Sequence, residues 1–594
     1  MPDIDEQAAA WLTHFETALA THDDILLRRL FTPGATWRDL LAFTWNFRQF
    51  HDRDAIAAYL WATVQDIEPA NFAIDKDFQV DPVSAVTSAP TGTYEINFTF
   101  DTAAGFADGL VNVLSDDESP AGLRATVLFT RLTGLRDRKP KWPQFGRYNH
   151  QELVNERRSQ AHRKRYTDRE PEVLIVGAGH NGVFVAAALG RLGIDALVID
   201  KHEQPGDSWR KRYESLVLHQ PHGMMQFLHL PFPVSFPDYI SKDRLADWYE
   251  VYVKALDLNL WNSTSFLDGS YDPETERWTA RIQLADGSER VMHPKFLVLA
   301  TGGSGTPRVP ALPGLGDFAG AVTHSEGFRS GADYTGKKVM VVGAGTSAHD
   351  IALDVAVHGG TPTMFQRGPI CIVDLPTANI NYGAFNTRDV PTDVLDKRWL
   401  ATQVRPTMME NFKFVTALGN DLDRKLHEGL ESAGFQIDWS PYGWFAKYFE
   451  VAGGYYINVG ASEAVIRGDI KIRQHDEIDR FLPNGVQLTN GEILEFDAVV
   501  LATGYENQRV ILERFFGKAV ADSIGEVAGF DAGGEPERQQ YKPIPAQPRL
   551  AIAGSGICAG RWYAPLVALE IQAELEHRVP AAFTAPGHPS RTPL

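Results

Sequence analysis

A doubly wound α/β architecture, present twice and preceded by a smaller α+β module, is what this sequence predicts. Two stretches carry the prediction: EVLIVGAGHNG at Glu172 to Gly182 and KVMVVGAGTSA at Lys338 to Ala348. Each is a short continuous apolar run, the mark of a strand buried on both faces, followed by a glycine-rich turn and a helical pattern. The third observation is the segment beyond each helical pattern. DALVID in the first and TPTMFQR in the second complete β-α-β units, and parallel strands joined by crossover helices define this class.

At 594 residues the chain is too long for one core, and about three or four domains of ~150 residues fit it. Helical spacing of Trp11, Phe15 and Leu19 opens the chain. In TYEINFTFDT the alternation of Tyr94, Ile96, Phe98 and Phe100 predicts a half-buried strand, and LRATVLFTRLTGL from Leu123 predicts another. Helices against an antiparallel sheet make residues 1–135 an α+β module. A polar, mostly basic connector comes next over 136–170, read as a solvated linker. The formal net charge of -19 argues against nucleic acid or an anionic membrane as partner and leaves small molecules. Two cysteines, Cys371 and Cys558, cannot build a disulfide framework or a cysteine zinc site, and the histidines lack a ligand spacing, so no metal is expected. The start MPDIDEQAAAWL has neither a basic n-region nor an apolar h-region, and no run approaches ~20 apolar residues. A cytoplasmic protein without a membrane span is the expectation, with a homodimer left open.

In a dinucleotide-binding turn the first glycine permits the tight bend, the second lets backbone approach the pyrophosphate, and the third lets helix and strand pack closely. Gly177, Gly179 and Gly182 fill all three places. The second copy has Gly343 and Gly345, with Ala348 third, a replacement close packing tolerates. The units differ where their second strands end. Asp200 offers a carboxylate to ribose hydroxyls and would repel a 2′-phosphate, which suits FAD or NAD. Arg367 offers a guanidinium that can pair with a 2′-phosphate, which suits NADP, although an exposed arginine after a strand is often merely solvated. FLVLATGG at Phe296 to Gly303 and AVVLATGY at Ala498 to Tyr505 are apolar strands ending in Ala-Thr-Gly, which resemble those that return the chain to each nucleotide domain in two-dinucleotide flavoproteins.

With these residues in view, the sequence resembles the flavin-containing monooxygenases, in the branch of plant-type indole-3-pyruvate monooxygenases, from about Pro171 to Glu576. FAGAVTHSEGF matches that family's F-x-G-x-x-x-H-x-x-x-aromatic signature through Phe318, Gly320, His324 and Phe328. GDSWRKRYESLVLHQPH resembles the segment after the FAD ribose acid, and GRWYAPLVALEIQAELE resembles the helix closing the FAD domain. The resemblance implies two Rossmann-type domains. FAD-binding parts lie over 171–332 and 496–594, and an NADP-binding domain over 333–495 carries a cap-like insert over 371–453. It adds Lys201, Ser208, Trp209, Thr346, Ser347, Thr503 and Gly504 to the cofactor-binding residues. His324 is expected to act as a hinge or to position NADP. WRDLLAFTW at Trp37 to Trp45 resembles the SnoaL-like, cone-shaped nuclear-transport-factor-2 family, which makes the first module a dimerising unit, a second small-molecule site, or a second catalyst using Asp39 or His51.

The implied reaction is hydride transfer from NADPH to FAD, uptake of dioxygen, and delivery of one oxygen atom from a flavin hydroperoxide to a small substrate of heteroatom or 2-oxo acid type. Baeyer–Villiger conversion of ketones is the alternative, although Phe328 stands where those enzymes usually carry Trp. His219 falls beside the flavin by alignment and is read either as a catalytic group or as a structural histidine. Aromatics of the insert, Trp399, Phe412, Phe414, Trp439, Tyr442, Trp444 and Phe445, are expected either to cap the cleft or to pack as core. A disulfide reductase shares the two-nucleotide fold but needs a cysteine pair at the flavin, which two isolated cysteines do not supply.

Overall fold

The structure, a computed structural model, describes residues 3–86, 91–138, 154, 158, 161–386 and 389–584. A large part of the expected 136–170 linker lies outside the described residues. The helix Ile4–Thr21 is capped by Asp3 and buries Trp11, Phe15 and Leu19, the predicted face. Helices Asp24–Arg29 and Arg53–Ile67 join it against a seven-stranded sheet. That sheet runs in the order Phe47–Phe50, Phe31–Leu40, Leu123–Leu135, Gly105–Ser115, Thr93–Asp101, Ala70–Ile74, with Val83–Ala85 also on Thr93–Asp101. All pairs are antiparallel except Phe31–Leu40 with Leu123–Leu135.

Two expectations change here. The strand Thr93–Asp101 buries Glu95 and Asn97 as well as its apolar residues, because its second face meets the insert, where Arg398 donates to Glu95 at 3.0 Å. The interior expected to offer a conical pocket is filled by rings: Trp37 stacks on Phe50 at 4.8 Å and Phe72 on Phe100 at 4.8 Å. Asp39 accepts from the Phe43 and Thr44 amides and from the Thr44 and Thr130 hydroxyls, so it pins the turn after its strand. His51 lies 3.3 Å from the Gly533 carbonyl oxygen across a module boundary. Asp39 is committed to structure, while His51 is exposed at that boundary with its Nε2 on one carbonyl.

The first doubly wound unit is a five-stranded sheet in the order Leu260–Trp261, Ala196–Ile199, Val173–Val176, Phe296–Leu299, Leu550–Ile552, parallel throughout. The second is also parallel: Ala321–His324, Ala498–Leu501, Lys338–Val342, Thr361–Gln366, Lys471–Gln474. Sheet membership moves two expected boundaries. Ala321–His324 and Ala498–Leu501 pair with each other in the second sheet, so neither belongs with the first unit as cuts at 332 and 495 imply. The return to the first unit is made by Leu550–Ile552. Between the sheets two connectors run side by side: Arg308 N donates to Gly504 O at 3.0 Å, and Glu506 N to Thr306 O at 2.9 Å. No helix among the described residues is long and apolar enough to cross a membrane.

The amino-terminal module is locked to the rest by polar groups. Arg38, fully buried, donates to both oxygens of Glu535 at 2.9 and 2.8 Å, to Leu400 O at 2.9 Å and to the Tyr563 hydroxyl at 3.0 Å. Gln49 donates to Gln403 O at 2.7 Å and accepts from Arg405 N at 2.8 Å. Removing one partner of a buried charge pair strands the other in low dielectric. Arg38→Ala is therefore expected to cost about 3–5 kcal/mol in urea unfolding, and Arg38→Met with Glu535→Leu to recover most of it. Equal loss in the single and double variants would contradict this account.

Candidate functional site

One cleft of about 2520 Å³ lies between the two parallel sheets. A pocket for one drug-sized ligand occupies about 300–1,000 Å³, so this one has room for two extended ligands. Both glycine turns open into it. Gly177 and Gly343 have φ of +105° and +127°, and a Cβ on either would stand 2.4 Å from a carbonyl oxygen, of Ala300 and Ala502 respectively. Gly182 is buried at the helix–strand contact, where a Cβ would meet Gly177 O at 1.9 Å; it packs and does not line the cleft. Gly179 and Gly345 are different: nothing lies within 4 Å of where their Cβ would be, and both line the cleft. Open space at the second glycine of each turn is what a phosphate cradle requires.

Gly179 and Gly345 are also the N-caps of the helices His180–Leu192 and Thr346–Val357, and neither helix start has a side-chain cap. A third helix, Ile557–Leu575, begins at Gly556 in the same way, and Gly554, Ser555 and Gly556 line the same cleft. The first amides of a helix have no partner within it, so three uncapped starts give the cleft three sets of donors and three positive dipole ends. Sequence reasoning found the Ile557–Leu575 helix but not its turn. AIAGSGI at Ala551 to Ile557 is a third strand, glycine turn and helix in miniature, and that signal was available.

Asp200 lines the cleft with its Oδ2 accepting from Ala178 N at 2.6 Å and its Oδ1 from His202 N at 2.8 Å. Each carboxylate oxygen can accept twice, so capacity for a ribose hydroxyl remains. Lys201, Ser208 and Trp209 line the same end, and Thr346, Ser347 and Arg367 the other. Arg367 is exposed and makes no hydrogen bond or ion pair among the described residues. Thr503 and Gly504 line the cleft with much of their polar capacity used: the Thr503 hydroxyl donates to Arg308 O at 2.6 Å, and Gly504 O receives Arg308 N and His324 Nε2.

The signature residues stand behind the cleft. His324 Nε2 lies 3.0 Å from Gly504 O and its Nδ1 accepts from Glu326 N at 3.1 Å, so both ring nitrogens bind backbone at the crossing between sheets. Phe318 packs against Phe481, and a Cβ on Gly320 would meet Asp497 O at 2.4 Å. Phe328 stacks on Tyr334 at 5.4 Å inside the second unit's core and touches no ligand space. From the insert, the cleft is lined by Arg405 and the run Tyr448 to Gly453, with Gly454 and Tyr455 just beyond the insert; the aromatics singled out in sequence do not line it. Trp444, Phe445 and Phe412 are core, while Phe414 and Trp439 are exposed at 69% and 52%.

His219 lines the cleft and burial pushes it down to about 4, so its ring is neutral at physiological pH. Glu537, which sequence reasoning did not single out, also lines the cleft, and burial pushes it up to about 7. It receives the Ser555 hydroxyl at 2.5 Å. Ser555 O in turn accepts from Asn181 Nδ2 at 2.8 Å and faces His180 Nε2 at 2.7 Å, which ties the third helix start to the first.

A sequence profile described as pyridine nucleotide-disulphide oxidoreductase matches residues 174–374. The indole-3-pyruvate monooxygenase YUCCA1 of Oryza sativa subsp. japonica is 31% identical over 339 residues, 57% of this chain and 77% of the relative. YUCCA4 of the same plant is 30% identical over 348 residues, 57% of this chain and 74% of the relative. Among solved structures, ε-caprolactone-bound cyclohexanone monooxygenase superposes with a TM-score of 0.51 at 17% identity, covering 70% of this chain and 91% of that one, a likeness of fold. The disulphide chemistry in the profile's description has no counterpart here, because Cys371 and Cys558 are both free and burial pushes each thiol up to about 12.

The glycines separate structural from ligand-facing roles. Gly177→Ala and Gly343→Ala are expected to lower the stability of the ligand-free protein by at least about 1–3 kcal/mol, through backbone strain and the clash of the new Cβ with a carbonyl oxygen. Gly179→Ala and Gly345→Ala are expected to cost less, about 1 kcal/mol or under, the difference between Gly and Ala at an N-cap. Calorimetry on the four variants checks this, and a large loss at Gly179 or Gly345 would refute it.

Proposed function

The chain belongs to the flavin-containing monooxygenase family, and we propose that its two turns are successive stations of one reaction, FAD along the first and NADPH along the second. Its activity is that of an FAD- and NADPH-dependent monooxygenase. The observation that carries the assignment of stations is the shared cleft, onto which three uncapped helix starts and the unpaired guanidinium of Arg367 open. Bound FAD supplies the hydride and dioxygen chemistry that side chains lack. This chain's residues bind, orient and exclude water. Amides at Gly179 and Gly556 and the carboxylate of Asp200 favour the flavin nucleotide. The amides at Gly345, with Thr346, Ser347 and Arg367, favour the phosphorylated one. His219, neutral and facing the cleft, is a lining group that orients the bound molecules.

The substrate we assign is a small organic molecule of the 2-oxo acid or heteroatom type. The plant relatives are named for indole-3-pyruvate, which makes an aromatic 2-oxo acid the first class to test. We read the amino-terminal module as SnoaL-like, acting as a scaffold for the catalytic units, with its filled interior counting against a second small-molecule site.

Two measurements check this reading. Arg367→Gln is expected to raise KM for NADPH by about 10- to 100-fold, the worth of a charged hydrogen-bond pair, while leaving KM for NADH nearly unchanged. Under isotopically labelled dioxygen with NADPH, one labelled atom is expected in the product of an indolic 2-oxo acid, amine or sulfide. Labelled esters or lactones from ketones would instead establish Baeyer–Villiger chemistry.

A further inference from the structure

A monooxygenase delivers one atom of dioxygen to substrate and must release the other as water, which needs a proton delivered inside a dry cleft. Of the candidates, His219 is neutral and has no hydrogen-bonded relay among the described residues, and both histidine nitrogens at 324 are held by backbone. Glu537 lines the cleft as His219 does, but differs on two counts: it grips the Ser555 hydroxyl at 2.5 Å, and Ser555 stands at the start of the uncapped Ile557–Leu575 helix, bonded to His180 and Asn181 of the first glycine turn. Its loop is held in an unusual shape, with Glu537, Gln539 and Tyr541 all in the left-handed region at φ of 59°, 57° and 60°. Such conformations in non-glycine residues are costly and concentrate at functional sites. The loop is fastened from outside by Arg38 through Glu535, and from within by Gln540 Nε2 on Glu537 Oε2 at 2.8 Å.

We propose that Glu537 is the cleft's proton donor, acting through the Ser555 hydroxyl. This rests on the reading that FAD lies along the first glycine turn. With Glu537 protonated the 2.5 Å pair runs the other way from the charged state, the carboxyl donating to Ser555 Oγ, and the Glu537 O–H bond breaks as that proton moves to Ser555 Oγ. Ser555's own O–H bond breaks as its proton moves to the departing oxygen, which leaves as water. The carboxylate that remains takes a proton back from solvent. No electrons move in these steps, and dioxygen and NADPH are those of the family's reaction.

The surroundings let Glu537 titrate alone near neutrality. Tyr541 of its own loop, Tyr448 of the insert helix, and Tyr563 and Cys558 of the third helix all face it, and burial holds each protonated: the tyrosines 448 and 541 well above their ordinary value, Tyr563 and Cys558 up to about 12. Lys542 is the cation facing it, and Asp531 pairs with that ammonium at 2.6 Å. A donor poised near the working pH is the most effective kind.

The test compares the wild type with Glu537→Gln, Glu537→Asp and Ser555→Ala, all as full-length protein. In the ligand-free protein, the infrared difference between wild type and Glu537→Gln is expected to show the loss of one carboxyl band ionising near pH 7, with Asp39 and Asp350, which burial pushes up to about 6, common to both. Because a raised folded-state value adds stability below the ordinary glutamate value and loses it as pH rises through about 7, that variant is also expected to flatten the fall in melting temperature between about pH 5 and pH 8. In the FAD-loaded protein, Glu537→Gln and Ser555→Ala are expected to keep flavin content and to form oxygenated product in the first turnover, while steady-state turnover with substrate falls by about a hundredfold, the lower end of what a positioned acid contributes. Glu537→Asp should restore part of the turnover. Unchanged turnover in both variants, or no loss of a carboxyl band ionising near pH 7 on going to Glu537→Gln, overturns the proposal. Failure of the wild type to bind FAD would overturn the station reading instead, and the infrared titration would still decide by itself whether Glu537 ionises near neutrality.

Discussion

Every helix begins with amides that the helix itself cannot satisfy, and three of the uncapped beginnings in this molecule are gathered on one cleft. A serine or aspartate at Gly179, Gly345 or Gly556 would satisfy those amides locally and add roughly a few tenths of a kcal/mol of helix stability. The chain forgoes that and points the donors at one cleft. Parallel sheets make this arrangement available, because each strand delivers its following helix start to the same edge. The strained first glycine and the packed third one then fix the angle at which each helix leaves its strand.

Two nucleotide units sharing a cleft must also hold a fixed separation. That task falls to the paired connectors between the sheets, cross-linked through Arg308, Thr503, Gly504 and Glu506 and braced by His324. It explains why signature residues that read in sequence like site residues stand behind the site. Their chemistry is spent on backbone, and their influence on any ligand runs through the spacing of the two sheets.

Much of the fold was legible because its signals are local. Buried parallel strands read as continuous apolar runs, and the turns after Val176 and Val342 announce themselves by glycine spacing. The filled interior of the amino-terminal module was not legible, since alternation along one strand says nothing about whether another element covers the opposite face, as the insert covers Glu95. Nor was Glu537: its environment is assembled from the segment before the last strand, the third helix and the insert, and no spacing rule links residues 448, 537 and 555. Arg367 could be placed from sequence because strand ends are local. The boundary at Leu501 could not, because strand pairing across an inserted domain is decided by the ladder and not by the order of the chain.

Arg38 reaches through Glu535 toward the loop that carries Glu537, and this bears on how such a chain can be inherited. A module attached only by a linker could be exchanged between genes as a bead on a string. This one has one guanidinium buried in three other segments of the polypeptide, around residues 400, 535 and 563. Recombination that replaced residues 1–135 without those partners would leave Glu535 charged and stranded, so module and oxygenase are constrained to travel and diverge together.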